Sequence, residues 1–275
     1  MHEPTELIIE AGHAERHYWR DLWRYRELFY FFAWKDILVR YKQTIVGVAW
    51  AVIRPLALMI VFTFIGSHVI KLPADGIPYP LTAFVGILAW NFFSISLQDS
   101  ATSLVGNANL ISKVYFPRLV IPTAAVITAF ADLIVATGLL VVLFVWYQFV
   151  PSIQIVALPI FVAMALAAAI GSGLWLSAMM VRYRDIRFII PFIVQFGLYV
   201  SPVWFKTSQF PEEWRLIYSL NPMVGIIDGF RWSVLGGPNE IYLPGMMVSF
   251  CMSALLIFSG VWYFRKTENT FADII

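Results

Sequence analysis

Long apolar runs separated by short polar breaks dominate the chain. They predict six spans, over approximately residues 44–70, 81–101, 119–147, 154–181, 188–204 and 244–264. Most hold about 20 residues or more, enough to cross ~30 Å of hydrocarbon at 1.5 Å per residue. The fifth is short, contains Pro191 and ends at Ser201-Pro202, so a kinked or incomplete crossing is expected there. A β-barrel is excluded, because its strands alternate apolar and polar positions and these runs are apolar on all sides. The expected fold class is an all-α membrane protein. It would have an N-terminal amphipathic interfacial helix, six transmembrane helices and short re-entrant helices between spans 5 and 6. The expected division is a cytoplasmic N-terminus at 1–43, a transmembrane domain at 44–264 and a cytoplasmic tail at 265–275.

Composition strengthens this reading. Of 275 residues, 60% are hydrophobic and 13% charged, with 17% aromatic; an ordinary soluble domain carries about 25% charged residues. A soluble enzyme, a secreted disulfide scaffold and a disordered tail are excluded as classes. The single cysteine, Cys251, can form no internal disulfide, and its apolar setting predicts a small core residue. Of the 19 Lys and Arg residues, 14 fall before span 1, between spans 2 and 3, between spans 4 and 5, and after span 6. Positive charge stays inside, so both termini are expected in the cytoplasm. Residues 1–20 are polar and acidic, unlike a cleavable signal peptide.

Before span 1, Arg16, Arg20, Arg24 and Glu27 share one helical face, and Tyr18, Leu22, Tyr25 and Phe29 another. This spacing predicts a helix lying in the membrane surface, its arginines on lipid phosphates and its rings in the headgroup layer. The bland alternative is a plain membrane-entry helix.

Catalytic chemistry is sparse. The chain has no G-x-x-x-x-G-K-[ST] phosphate loop, no H-E-x-x-H and no C-x-x-C, and its four histidines have no catalytic companion. The best candidate cluster, Arg182, Arg184, Asp185 and Arg187, reads as an anchoring loop rather than an acid/base centre. The expectation is a transporter subunit, not an enzyme.

Two ionisable residues sit deep: Arg54, ~15 Å along span 1, and Asp132, ~20 Å along span 3, at 1.5 Å per residue. Charges at such depth usually face protein or water. Three readings stand: the two pair with each other, Arg54 meets an acidic or pyrophosphate part of a substrate, or Arg54 snorkels to the headgroups.

Five motifs follow in order: "RYKQTIVGVAW" at 40–50 with Arg54-Pro55, "NLISKVYFPRLVIP" at 109–122, "RYRDIR" at 182–187, "SPVWF" at 201–205 and "NPM" at 221–223. On a six-span frame, they resemble the membrane subunit of ABC-2 type polysaccharide exporters, above all the O-antigen (lipopolysaccharide) export permeases. Capsule and teichoic acid permeases are similar. The resemblance covers roughly residues 25–265. It implies a homodimer in the bacterial inner membrane, two copies of a separate ABC ATPase partner that holds ATP and Mg, and a lipid-linked polysaccharide as cargo. The chain itself is expected to hold no cofactor or metal and to bind no nucleic acid. The alternatives are an ABC-2 exporter of a drug or lipid, and a passive channel that needs no ATPase.

Residues 98–118 are too long for a tight turn and rich in cap-forming types. By resemblance they hold the helix that couples to the ATPase, with Ser100, Ser103, Asn107, Asn109 and Lys113 as contacts. A solvated loop is the alternative. Between Lys206 and Tyr242, apolar stretches of about 10–14 residues are too short to span. They read as re-entrant or interfacial helices. A glycan channel needs ring faces for sugar C–H groups and few fixed charges. The candidate lining residues are Trp50 and Arg54 on span 1, and Phe188, Phe192, Phe196 and Tyr199, spaced as one stripe of span 5. Packing against neighbouring helices or lipid is the competing reading for each.

Overall fold

The computed structural model describes residues 18–42, 49–71, 76–236 and 241–271. The start of span 1, residues 43–48, and the N-terminal positions including Arg16 lie outside them. Among the described residues there is no strand. Eleven α-helices are described: α1 Tyr18–Arg24, α2 Arg26–Lys42, α3 Ala49–Phe64, α4 Tyr79–Gly106, α5 Ala108–Ile111, α6 Val120–Trp146, α7 Leu158–Arg182, α8 Ile186–Val200, α9 Glu212–Tyr218, α10 Pro222–Leu235 and α11 Leu243–Thr267.

Five helical stretches are long and apolar enough to cross a membrane: Ala49–Val69, Tyr79–Gly106, Val120–Trp146, Ile153–Arg182 and Leu243–Thr270. They correspond to five of the six expected spans. The fifth expected span is the shorter apolar helix α8, which ends at Val200 rather than 204. At 1.5 Å per residue its 15 residues cover ~22 Å.

Helix α4 is the centre. It packs against α3, α6, α7, α8 and α10. In its most apolar 18-residue window 78% is buried, against 22% for the first span. From Leu81 to Trp90 its side chains are apolar or small all round, as a helix without a lipid face requires, and the polar Asn91, Gln98 and Asp99 follow. Close helix approach is set by glycines. A β-carbon at Gly260 of α11 would stand 2.3 Å from the Gly171 carbonyl oxygen of α7. Around that crossing Trp175 stacks on Tyr263 with ring centres 4.0 Å apart, and its indole N–H donates to Ser259 Oγ at 3.1 Å.

The chain's two described ends meet at one end of the bundle. The Tyr18 hydroxyl donates to the Glu268 carboxylate at 3.1 Å, the Arg118 guanidinium donates to the Glu268 carbonyl, and Arg265 lies 4.4 Å over the Tyr18 ring. This corrects the surface-helix expectation on one point. Tyr18 is buried, and Leu22 and Phe29 pack with it against the bundle, so this face is not in a headgroup layer. The outward rings are Trp19, Trp23, Tyr30, Phe31 and Trp34. Cys251 is likewise corrected: it is exposed on α11, not in the core.

The opposite end is closed by α9 and α10. Asn221 caps α10, accepting from the Met223 N–H at 3.0 Å, and Pro222 starts the helix. Helix α10 packs on α4, α7 and α11 and buries Met223, Val224, Ile226, Ile227 and Phe230, whereas α9 exposes Trp214 and Ile217. The two short helices of the 206–242 segment thus differ: one is a plug inside the bundle, the other a cover on it.

Candidate functional site

A cavity of about 810 Å³ opens between α2, α3, α4 and α6. Its floor is apolar, with Leu58, Leu88, Phe92, Leu133 and Ala136, and its polar wall carries Asn91, Ser94 and Gln98. Trp50 and Arg54 both line it. Arg54 is exposed, and its guanidinium carbon lies 5.8 Å from the Trp50 ring centre, which follows from their four-residue spacing on one helix.

Four further groups meet in the same cavity. Arg40, from the end of α2, donates one nitrogen to Asp99 of α4 and another to Asp132 of α6, and the Tyr41 hydroxyl also donates to Asp132. Two carboxylates brought this close would repel each other; one planar guanidinium answers both, as its fork of donors permits. Burial alone would lower the pKa of Arg40, but Asp99 and Asp132 outweigh it and hold the group above its ordinary value. The pairing reading for Arg54 and Asp132 is corrected: the partners of Asp132 are Arg40 and Tyr41, and among the described residues Arg54 meets no carboxylate. The reason is reach: α2 folds back along α6, so its last turn arrives at Asp132.

The expected stripe on α8 exists. Phe188, Phe192, Phe196 and Tyr199 are all exposed, at 71, 67, 58 and 57%, and Phe192 stacks on Phe196 with ring centres 5.8 Å apart. The opposite face buries Ile186 and Ile190 against Ala101 and Met180, and Gly197 leaves room for the Trp90 ring. Helix α8 packs on α4 and α7, while α3 packs on α4 and α6. Within one chain, the stripe lies outside the Trp50–Arg54 cavity lining.

Helix α8 runs from the level of Ala101 to that of Gly86 on α4, where the turn after it is bound. Arg231 of α10 is 2% exposed and donates to the carbonyls of Val203 and Phe205, both at 2.7 Å, and Thr82 at 3.2 Å. Tyr79 donates to the Trp204 carbonyl at 2.5 Å, and Tyr218 to that of Val200 at 2.6 Å. Five carbonyls are thus held by three side chains, none singled out by sequence.

The 98–118 segment divides. Residues up to Gly106 continue α4, followed by the single turn α5. Ser100 is 0% exposed and faces Gly173 of α7, so it is removed from any contact surface: it lies inside the helix bundle, not beyond it. Ser103 is half-buried and donates to the Ser100 carbonyl. Asn107 accepts from Lys35 at 3.1 Å, tying α2 to the end of α4. Asn109 and Lys113 are exposed, as are Val114 and Tyr115, while Phe116 is buried against Phe32. A groove of about 370 Å³ lies between this loop, Tyr18 and Glu268. Burial and the Glu268 carboxylate raise the Tyr18 pKa well above the ordinary phenol value, so the hydroxyl stays a donor there.

The groups that can hold a substrate are therefore hydrogen-bonding amides, a cation beside an indole, and ring faces. Among the described residues, no three His, Cys, Asp or Glu side chains are grouped to bind a metal ion.

Known proteins share this chain's length and order. It is 27% identical over 262 residues to the "O-antigen export system permease protein RfbA" of Myxococcus xanthus, covering 93% of this chain and 98% of that protein. It is 26% identical to the protein of the same name from Klebsiella pneumoniae, over 88% of this chain and 92% of the relative. It is 21% identical to the "Polysialic acid transport protein KpsM" of Escherichia coli, over 86% and 91%. The sequence profile of the ABC-2 type transporter matches residues 27–235, from the start of α2 to the end of α10. Every helix that builds the cavity, the α8 stripe and the Arg231 anchor falls inside that match, and the chain belongs to the ABC-2 type transporter family.

Proposed function

We propose that the chain is the permease subunit of an ATP-driven exporter that carries a lipid-linked polysaccharide, O-antigen first among the candidates, across the bacterial inner membrane. The observation that carries the proposal is the α8 stripe: four rings on one face turned away from their own bundle. Ring faces suit the C–H faces of sugars, and the stripe needs an opposing wall, which a second copy of the chain supplies. The relatives named for O-antigen export support the same cargo, and the polysialic acid relative keeps a capsule polymer as the second reading. A teichoic acid polymer, a drug or a lipid are more distant alternatives.

In this reading α8 completes the set of six spans, as the fifth in chain order. Its ~22 Å suffices because the turn at 201–205 continues the crossing, and α9 and α10 form the outer exit. The end where Tyr18, Arg118 and Glu268 meet is cytoplasmic, consistent with the distribution of Lys and Arg. Two ABC ATPase subunits dock on that end, at Asn109, Lys113 and the neighbouring Tyr115. ATP and Mg are held by those subunits, and this chain adds no cofactor.

The test is reconstitution. The purified chain in lipid should hydrolyse no ATP. With its partner ATPase it should hydrolyse ATP and move a lipid-linked glycan across the bilayer. ATP turnover by the chain alone, free of contaminating ATPase, would refute the division of labour. Export that continues without any ATPase would make it a passive channel.

A further inference from the structure

Where α7 and α11 end, the two helices leave a groove of about 270 Å³ between them. Val181 and Phe271 form part of its floor, and Arg182, Tyr263, Thr267 and Thr270 its polar rim. The Tyr263 ring is held by its stack on Trp175. Arg182 is exposed at the last position of α7, its guanidinium carbon 5.5 Å from the Tyr183 ring centre, and it meets no carboxylate among the described residues. Lys266, next to Thr267 and one turn before Thr270, brings a second exposed cation to the edge of the groove. Among the described residues, no acid lines the groove. Of the nearest in sequence, Asp185 precedes α8 in the loop, and Glu268 is engaged by Tyr18 in the separate groove beside Arg118.

A second feature ties these cations to lipid. Leu255, Phe258 and Trp262 of α11 are 58, 76 and 60% exposed and share one helical face. Lys266 continues that face, its ammonium nitrogen 5.1 Å from the Trp262 ring centre. The result is one apolar stripe that ends in a cation. Trp262 lies ~28 Å along α11 from Leu243 at 1.5 Å per residue, so its indole stands at the headgroup level of a bilayer that α11 crosses.

An acyl chain lying along the stripe brings its phosphate to the level of Lys266 and Arg182. A guanidinium fork and an ammonium suit that phosphate through charge-assisted hydrogen bonds. The hydroxyls of Thr267 and Thr270 donate to the carbonyls of Tyr263 and Thr267, at 2.9 and 2.8 Å, so their oxygens remain as acceptors for a headgroup hydroxyl. A headgroup ammonium would find no carboxylate in the rim and would stand beside two cations. A headgroup of net negative charge fits, and a zwitterionic one does not.

We infer that the groove between α7 and α11 binds an anionic phospholipid, with Arg182 and Lys266 on its phosphate and its acyl chain along Leu255, Phe258 and Trp262. The inference needs only that α11 crosses a bilayer, so it stands whichever cargo the chain exports.

The experiment uses the full chain purified in mild detergent. Phosphatidylglycerol and phosphatidylcholine with the same acyl chains are titrated in parallel, and the lipid retained per chain is counted by native mass spectrometry. Phosphatidylglycerol should bind about tenfold more tightly than phosphatidylcholine. Arg182→Gln combined with Lys266→Gln should remove that advantage. Arg24→Gln, which takes an exposed cation from α1 outside the groove, should leave it unchanged. Arg182→Lys combined with Lys266→Arg should retain most of it, since both charges stay. Equal binding of the two lipids by the native chain overturns the inference, as does an undiminished preference in the double glutamine variant. Soluble glycerol phosphate that binds as tightly as the lipid overturns the acyl-chain contact, because the site then takes phosphate alone. Loss of ATPase binding in the double glutamine variant, with lipid retention unchanged, assigns the two cations to the ATPase instead and also overturns it.

Discussion

The rings of α8 do different work from the rings that hold the bundle together. Trp175 and Tyr263 stack inside a helix crossing, and Phe264 and Phe271 pack edge to face at the end of the bundle that holds Tyr18 and Glu268, whereas Phe196 and Tyr199 are more than half exposed. Large-to-small changes at buried rings cost ~3–5 kcal/mol; at α8 that penalty should be absent. Leucine at both Phe196 and Tyr199 keeps apolar volume and removes the ring faces. If a face contact contributes about 1 kcal/mol, glycan export should fall by roughly tenfold or more, while protein level, dimer and ATPase binding stay normal. Normal export at normal protein level would show that the rings only pack. The stripe was legible in the sequence because it depends on spacing within one helix. The Arg40 cluster was not, because its acids lie 59 and 92 residues away. Arg231 was harder still: backbone carbonyls are its partners, and every residue has one.

Between helices, glycine positions determine the approach. At Gly260 and Gly171 the obstacle to a side chain is backbone, which cannot rotate away. Gly138 of α6 has open space where a β-carbon would go. Gly260→Ala should therefore destabilise the detergent-solubilised protein by about 1–3 kcal/mol, the usual scale of overpacking. Gly138→Ala should leave stability equal or slightly higher, since alanine is the better helix former. Melting curves of the two variants check this directly, and equal melting temperatures would mean that α7 and α11 separate freely. The long elements were easily read from hydropathy, to within a few residues at most ends. The 206–242 segment was read only as short helices. Length alone did not distinguish the buried α10 from the exposed α9, but composition does: α9 carries Glu212, Glu213 and Arg215 in seven residues. In α10 small residues add to the difference, since Gly225 and Gly229 allow Ser249 and Phe161 to reach its backbone.

At the scale of the whole molecule, the end where Tyr18, Arg118 and Glu268 meet draws on three distant parts of the chain. Tyr115 projects from it beside the buried Phe116, making it a better reporter than Ser103, whose hydroxyl is engaged within α4. Tyr115→Cys, in a Cys251→Ser background, should crosslink to the partner ATPase and react with impermeant maleimide only from the cytoplasmic side. Labelling from the periplasm would invert the orientation. Six apolar runs were enough to anticipate a helical membrane bundle, and the five ordered motifs pointed to its family. They could not anticipate that α2 reaches Asp132, since a helix read as lying flat has no reason to enter the bundle. The bond between Tyr18 and Glu268 has a separate consequence for protein engineering. The first and last described helices are neighbours in space, so the fold is nearly a closed ring of chain. A circularly permuted version, joined through a short polar linker there and opened between α10 and α11, would keep every helix contact while moving both new ends to the opposite face.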